Sequence, residues 1–115
     1  QYALTYPERY EAVIPELDLF EISKLTFFKP DTETFALLGC AIDAIGKGGA
    51  LPAVLNAANE VAVARFLDGK LGFYDITEAV CRTVEDMQYA KDKHTLDEII
   101  ECDRAARERI RSIIG

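Results

Sequence analysis

A chain of 115 residues can build one domain with its own core, and a composition half hydrophobic and 29% charged is that of a folded globular protein, not a disordered one. The net charge of −7 argues against nucleic acid or anionic membrane as a general partner. No apolar run approaches a bilayer span and no signal peptide opens the chain; three widely spaced cysteines, Cys40, Cys81 and Cys102, suit small buried thiols in a reducing compartment better than a disulfide framework or metal site.

Residues 1–30 hold six of the eleven aromatics (Tyr2, Tyr6, Tyr10, Phe20, Phe27, Phe28) and three of the four prolines. Pro7, Pro15 and Pro30 prevent one long element, so the segment reads as an extended, aromatic-rich arm that packs onto another body. Leu25-Thr-Phe-Phe28 suits a short strand, which would need a partner to pair with. The chain opens on Gln1 and its single methionine is Met87, which suggests a piece of something larger.

From about Phe35 the pattern becomes helical. Phe35, Leu38, Ile42 and Ile45 recur at helical spacing, and Gly46-Lys-Gly-Gly49 stops the helix. A second helix is predicted from around Pro52 to Asp68-Gly69, with proline in its first turn. A third follows Asp75 and Glu78, spaced as a reciprocal N-terminal cap, with Ile76, Ala79, Val80, Thr83, Val84 and Met87 on one face. In the fourth, Thr95 and Glu98 repeat the capping logic, and Leu96, Ile99, Cys102, Ala106, Ile110 and Ile113 form an inward stripe. Its charges run from acidic to basic, the order that suits a helix dipole. The expected fold is all-α: a four-helix-bundle-like domain over residues 31–115, preceded by the arm over residues 1–30. Truncating Leu55 or Val84 to alanine should cost roughly 1–5 kcal/mol.

Between Leu51 and Leu67 only Glu60 and Arg65 are charged, and a helix apolar nearly all round is normally buried by neighbours on several sides. Asn56, Asn59 and Glu60 therefore need a reason. They could form a polar site that positions a ligand or a neighbouring domain. The plainer alternative is a buried hydrogen-bond cluster that ties loop backbone to the bundle. Gly46-Lys-Gly-Gly49 lacks the strand and glycine spacing of a phosphate loop and reads as a helix-to-helix turn. His94, the one histidine, reads as a loop residue. The arginines of the last helix interleave with Asp103 and Glu108 as a solvated face with local ion pairs. No Ser-His-Asp set and no dinucleotide loop can be assembled, so no catalytic, cofactor-binding or metal-binding residue is assigned.

Several stretches together resemble the 1-deoxy-D-xylulose 5-phosphate reductoisomerase family, in its C-terminal helical domain. They are Tyr2-Ala-Leu-Thr-Tyr-Pro-Glu-Arg9, Leu17-Asp-Leu19, Lys24-Leu-Thr-Phe27, Pro30-Asp31, Pro52-Ala-Val-Leu-Asn-Ala-Ala-Asn-Glu-Val-Ala-Val63, Gly69-Lys-Leu-Gly-Phe73, Thr95-Leu-Asp-Glu-Ile-Ile100 and Asp103-Arg-Ala-Ala-Arg107. Ala36 departs from the family, where many relatives carry proline. The resemblance implies a parent enzyme that converts 1-deoxy-D-xylulose 5-phosphate to 2-C-methyl-D-erythritol 4-phosphate in non-mevalonate isoprenoid biosynthesis. It implies NADPH and a divalent metal (Mg or Mn) for that parent, both held earlier in the chain, a bacterial cytoplasmic location and a homodimer. This chain would then be a non-catalytic domain whose partner is the catalytic domain of the same polypeptide, with neither nucleic acid nor membrane as a partner. The alternative is a stand-alone helical protein-interaction module.

Overall fold

A computed structural model describes residues 1–88 and 94–115. All its regular elements are helical: α1 (Tyr2–Thr5), α2 (Leu19–Ile22), α3 (Ala36–Lys47), α4 (Leu51–Leu67), α5 (Phe73–Asp86) and α6 (Leu96–Ile114). The chain divides into two compact units, Gln1–Pro30 and Asp31–Gly115.

The first unit has no core of its own, since none of its side chains is buried. Local contacts give it what order it has. Gln1 Nε2 donates to the Glu11 carbonyl at 2.9 Å, Arg9 lies 4.2 Å from the centre of the Tyr2 ring, and Asp18 Oδ1 caps α2 by accepting from Phe20 N–H at 2.8 Å. The expected strand at Leu25–Phe28 is absent, and these residues carry no regular structure. A lone strand has nothing to pair its backbone with, so the β-favouring residues alone do not hold it extended.

In the second unit α4 is the centre, packed most extensively against α5 and α6 and also against α3. Leu51, Val54, Ala57, Ala58 and Ala62 are fully buried, and the small residues among them let neighbouring helices approach closely. One core layer joins Leu51, Val54 and Ala57 to Ala44, Val84, Met87 and Ala106; the other joins Ala58, Val61 and Ala62 to Ile76, Ala79, Val80 and Ile110. Along α4 the layers meet late and then early residues of α5, so those helices run antiparallel, while α6 runs parallel to α4. Leu55 is half-buried and touches both layers. It is a bridge between them, not the central residue expected.

Glycine ends the helices where expected. Gly48 and Gly49 turn α3 into α4 at φ of 74° and 63°, and Gly69 (φ 72°) closes α4 with Gly69 N–H bonding Phe66 O and Lys70 N–H bonding Arg65 O, both at 2.9 Å. The start of α5 differs from expectation. The cap is Gly72, and Asp75 is the third helical residue, its Oδ2 accepting the Gly72 N–H at 3.2 Å. A Cβ at Gly72 would stand 2.5 Å from that oxygen, so the carboxylate would have to shift to make room for one. Thr95 does cap α6: Glu98 Oε2 accepts from Thr95 N–H at 2.7 Å, and Thr95 Oγ1 accepts from Glu98 N–H at 3.4 Å.

One inward stripe needs correction. Leu96 is exposed, because the first turn of α6 precedes the core layer that Ile99 and Cys102 join. In α3 the face turned to the bundle is Leu37, Cys40, Ala41 and Ala44, whereas Phe35, Leu38, Ile42 and Ile45 face away from it.

Candidate functional site

The outer face of α4 carries the polar residues its sequence makes conspicuous. Asn56 and Glu60 are one helical turn apart, and Asn56 Nδ2 donates to Glu60 Oε1 at 3.0 Å. The other oxygen, Oε2, accepts from Arg107 Nη2 of α6 at 2.7 Å. Arg107 is fixed from its own helix as well, with Nε donating to Asp103 Oδ2 at 2.8 Å and Nη2 to Oδ1 at 3.2 Å. The result is a continuous chain, Asn56–Glu60–Arg107–Asp103, that ties α4 to α6 across 47 residues of sequence.

The electrostatics follow from that geometry. Hydrogen bonds from Arg107 and then Asn56 hold the Glu60 carboxyl below the usual carboxylate range. The two carboxylates, Asp103 first, keep the Arg107 guanidinium even more firmly charged than usual. With both oxygens occupied and the group anionic at neutral pH, Glu60 is poorly suited to proton transfer. The arrangement can brace and orient. Beside it lies a groove of about 490 Å³ lined by Glu60, Val61, Ala64, Arg65, Asp68, Arg107 and Arg111, charges of both signs.

Of the three residues singled out by sequence, the structure brings Asn56 and Glu60 together and leaves Asn59 apart. Asn59 is half-buried, with no side-chain hydrogen bond among the described residues, and no side-chain polar atom there is both buried and unpartnered. Asn56 and Glu60 are exposed, so they do not form a buried cluster. Sequence reasoning missed Arg107 and Asp103 as members. The four-residue spacing of Asp103 and Arg107 was visible, but the register that brings Arg107 to Glu60 was not. The same holds for Arg109, whose Nη2 reaches Asp86 of α5 at 2.6 Å; that bridge is between helices, not local.

The cysteines are unpaired. Burial, helped by the neighbouring Cys81 thiol, pushes the Cys40 thiol up to about 12. Residues distant in sequence thus become neighbours across α3 and α5. His94 immediately precedes the α6 cap. Among the described residues no group of three or more His, Cys, Asp or Glu side chains could hold a metal ion, and no helix is long and apolar enough to cross a membrane.

A family model described as the DXP reductoisomerase C-terminal domain matches residues 1–109. Among curated relatives, the 1-deoxy-D-xylulose 5-phosphate reductoisomerase of Chlorobium limicola is 51% identical over 115 residues, covering 99% of this chain and 30% of the relative. That of Geobacter metallireducens is 46% identical, with 99% and 29% covered. Among solved structures, the Zymomonas mobilis enzyme in complex with NADPH superposes with a TM-score of 0.85 at 37% identity, over 99% of this chain and 30% of that one. A DOX-P reductoisomerase in complex with magnesium gives 0.85 at 33% identity, over 98% and 30%. The chain therefore spans about 30% of the length of the relatives it matches.

Proposed function

Because the chain belongs to the DXP reductoisomerase C-terminal domain family, we propose that it is the non-catalytic C-terminal domain of a longer 1-deoxy-D-xylulose 5-phosphate reductoisomerase. The reading is supported by one observation above others: half-identical relatives align along 99% of this chain while it accounts for under a third of their own length. The parent would be an NADPH- and divalent-metal-dependent enzyme that isomerises and reduces 1-deoxy-D-xylulose 5-phosphate to 2-C-methyl-D-erythritol 4-phosphate, as a homodimer in the bacterial cytoplasm. The described residues do not fit the metal. No acidic or His/Cys cluster among the described residues offers a metal its ligands, and the groove beside Glu60 is lined by charges of both signs, of which Glu60 and Arg107 pair with each other. NADPH, metal and chemistry belong to the remainder of the parent.

What this domain contributes is support. Residues 1–30 act as the connecting arm, and their exposed Tyr2, Tyr6, Tyr10, Phe20, Phe27 and Phe28 have no cover of their own. The Asn56–Glu60–Arg107 chain stiffens the α4–α6 face against the catalytic domain. A support of this kind affects rate by holding catalytic groups in place without touching substrate. In the full-length enzyme, deleting residues 31–115 should collapse turnover and raise the protein's tendency to aggregate. A truncated enzyme with normal kcat and KM would overturn the buttressing role. The family membership would survive that result.

A further inference from the structure

α3 is apolar on two opposite faces. Leu37, Cys40, Ala41 and Ala44 pack into the bundle, while Phe35 (65% exposed), Leu38 (44%), Ile42 (56%) and Ile45 (70%) run along the other side at helical spacing. Among the described residues of the domain nothing covers them, since α3 packs on α4 and α5 and makes at most marginal contact with α6. Scattered exposed apolar residues are ordinary, but a continuous stripe of four large ones marks an interaction surface. Gly46, one turn beyond Ile42, adds to the case. It lies inside α3, where glycine costs helix stability, and a Cβ there would meet nothing within 4 Å. The domain's own packing therefore does not require it; close approach of another surface would. The flanking charges cancel, with Lys47 Nζ 2.7 Å from Asp43 Oδ2, so the seam suits an apolar partner rather than a charged one.

Area decides the occupant. The four side chains present on the order of 400 Å², against roughly 800 Å² per partner in a standard interface between separate chains. A stripe of that size is too small to hold a free partner or a second copy by itself. It is enough for a surface tethered in the same polypeptide, whose effective concentration reaches roughly millimolar. We propose that the outer face of α3, from Phe35 to Ile45, is the seam by which this domain docks onto an apolar surface of the preceding region of the same chain. The proposal rests on the reading of this chain as the C-terminal domain of a longer reductoisomerase, and it adds a contact surface on α3 to the arm and the α4–α6 face which that reading already uses.

Hydroxyl-radical footprinting of the full-length enzyme tests it without any substitution. Labelling of Phe35, Leu38, Ile42 and Ile45 is followed by mass spectrometry, against the urea-unfolded chain for intrinsic reactivity and against buried Leu51 as a protected control. In the native enzyme the four should label roughly fivefold or more slowly than when unfolded, because contact removes them from solvent, and dilution should not change this. Near-unfolded reactivity in an enzyme that still turns over would overturn the seam and leave the domain assignment standing. Protection that disappears on dilution would assign the stripe to a second copy and also overturn it. A parent polypeptide without reductoisomerase turnover would bring down the assignment, and the seam with it.

Discussion

Arg107 joins two helices through one guanidinium, and its partners Glu60 and Asp103 both keep contact with water, with side chains 53% and 36% exposed. Ion pairs so placed contribute little to stability, because solvent screens them and two long side chains must be held still. Arg107→Met should therefore lower the denaturant midpoint much less than Leu51→Ala. Its clearer effect should be a looser α4–α6 face, read as faster amide exchange around Glu60. The pH dependence has a definite sign. A carboxyl held below its ordinary value, as Glu60 is, contributes stability that is present above the unfolded value and is lost as pH falls through the folded one. Glu60→Gln should flatten that acid limb, and an unchanged limb in an acid unfolding series would show that the brace does not form. Cys40 has the opposite sign. Its thiol stays protonated up to about 12, so the stability it supports is whole below the ordinary thiol range near 9 and erodes as pH climbs between the two. At mildly alkaline pH it should alkylate slowly with iodoacetamide, because the thiolate is the reactive form.

At the scale of elements, the ends of helices carry separable contributions. Thr95→Ala removes the hydroxyl that caps α6 and should cost about 1 kcal/mol in denaturant titration. Gly69→Ala should cost a comparable amount, about 1 kcal/mol, for a different reason. A Cβ there meets nothing within 4 Å, so the whole penalty is the left-handed backbone at φ 72°. Gly72→Ala leaves the backbone unstrained at φ −74° but makes the Asp75 carboxylate, whose Oδ2 the new methyl would meet, move away from its cap bond. Within α4 the two leucines separate by burial. Leu51→Ala, at a fully buried site, should cost roughly 2–5 kcal/mol. Leu55→Ala should cost less because Leu55 is only half-buried, and equal losses for the two would contradict the core drawn here.

For the molecule as a whole, the helices themselves were legible in the sequence because their causes are local. Apolar spacing of three and four residues, threonine and glutamate at a cap, and glycine where the backbone turns left-handed act over one or two turns, and α3 to α6 appear accordingly. The inward face of α5 could be read off in full for the same reason. Where an element had to find its partner, local pattern was not enough. Leu25–Phe28 looked like a strand, but strand hydrogen bonds need a second strand, and no such pair forms among the described residues. The stripe that revealed α3 turned out to face away from the bundle, because the smaller side chains of Cys40, Ala41 and Ala44 let the helix lie closer to α4 and α5 than Phe35 or Ile45 would. Glu60 and Arg107 could each be seen in the sequence, though not as a pair. Sequence alone determined which segments of residues 31–115 are helical and nearly where each stops, since those depend on neighbours along the chain, whereas the one-turn α1 and α2 lie in the segment it read as extended. Only the tertiary structure decided which apolar face each helix buries and which charges meet, since those depend on residues that packing, not sequence, makes neighbours.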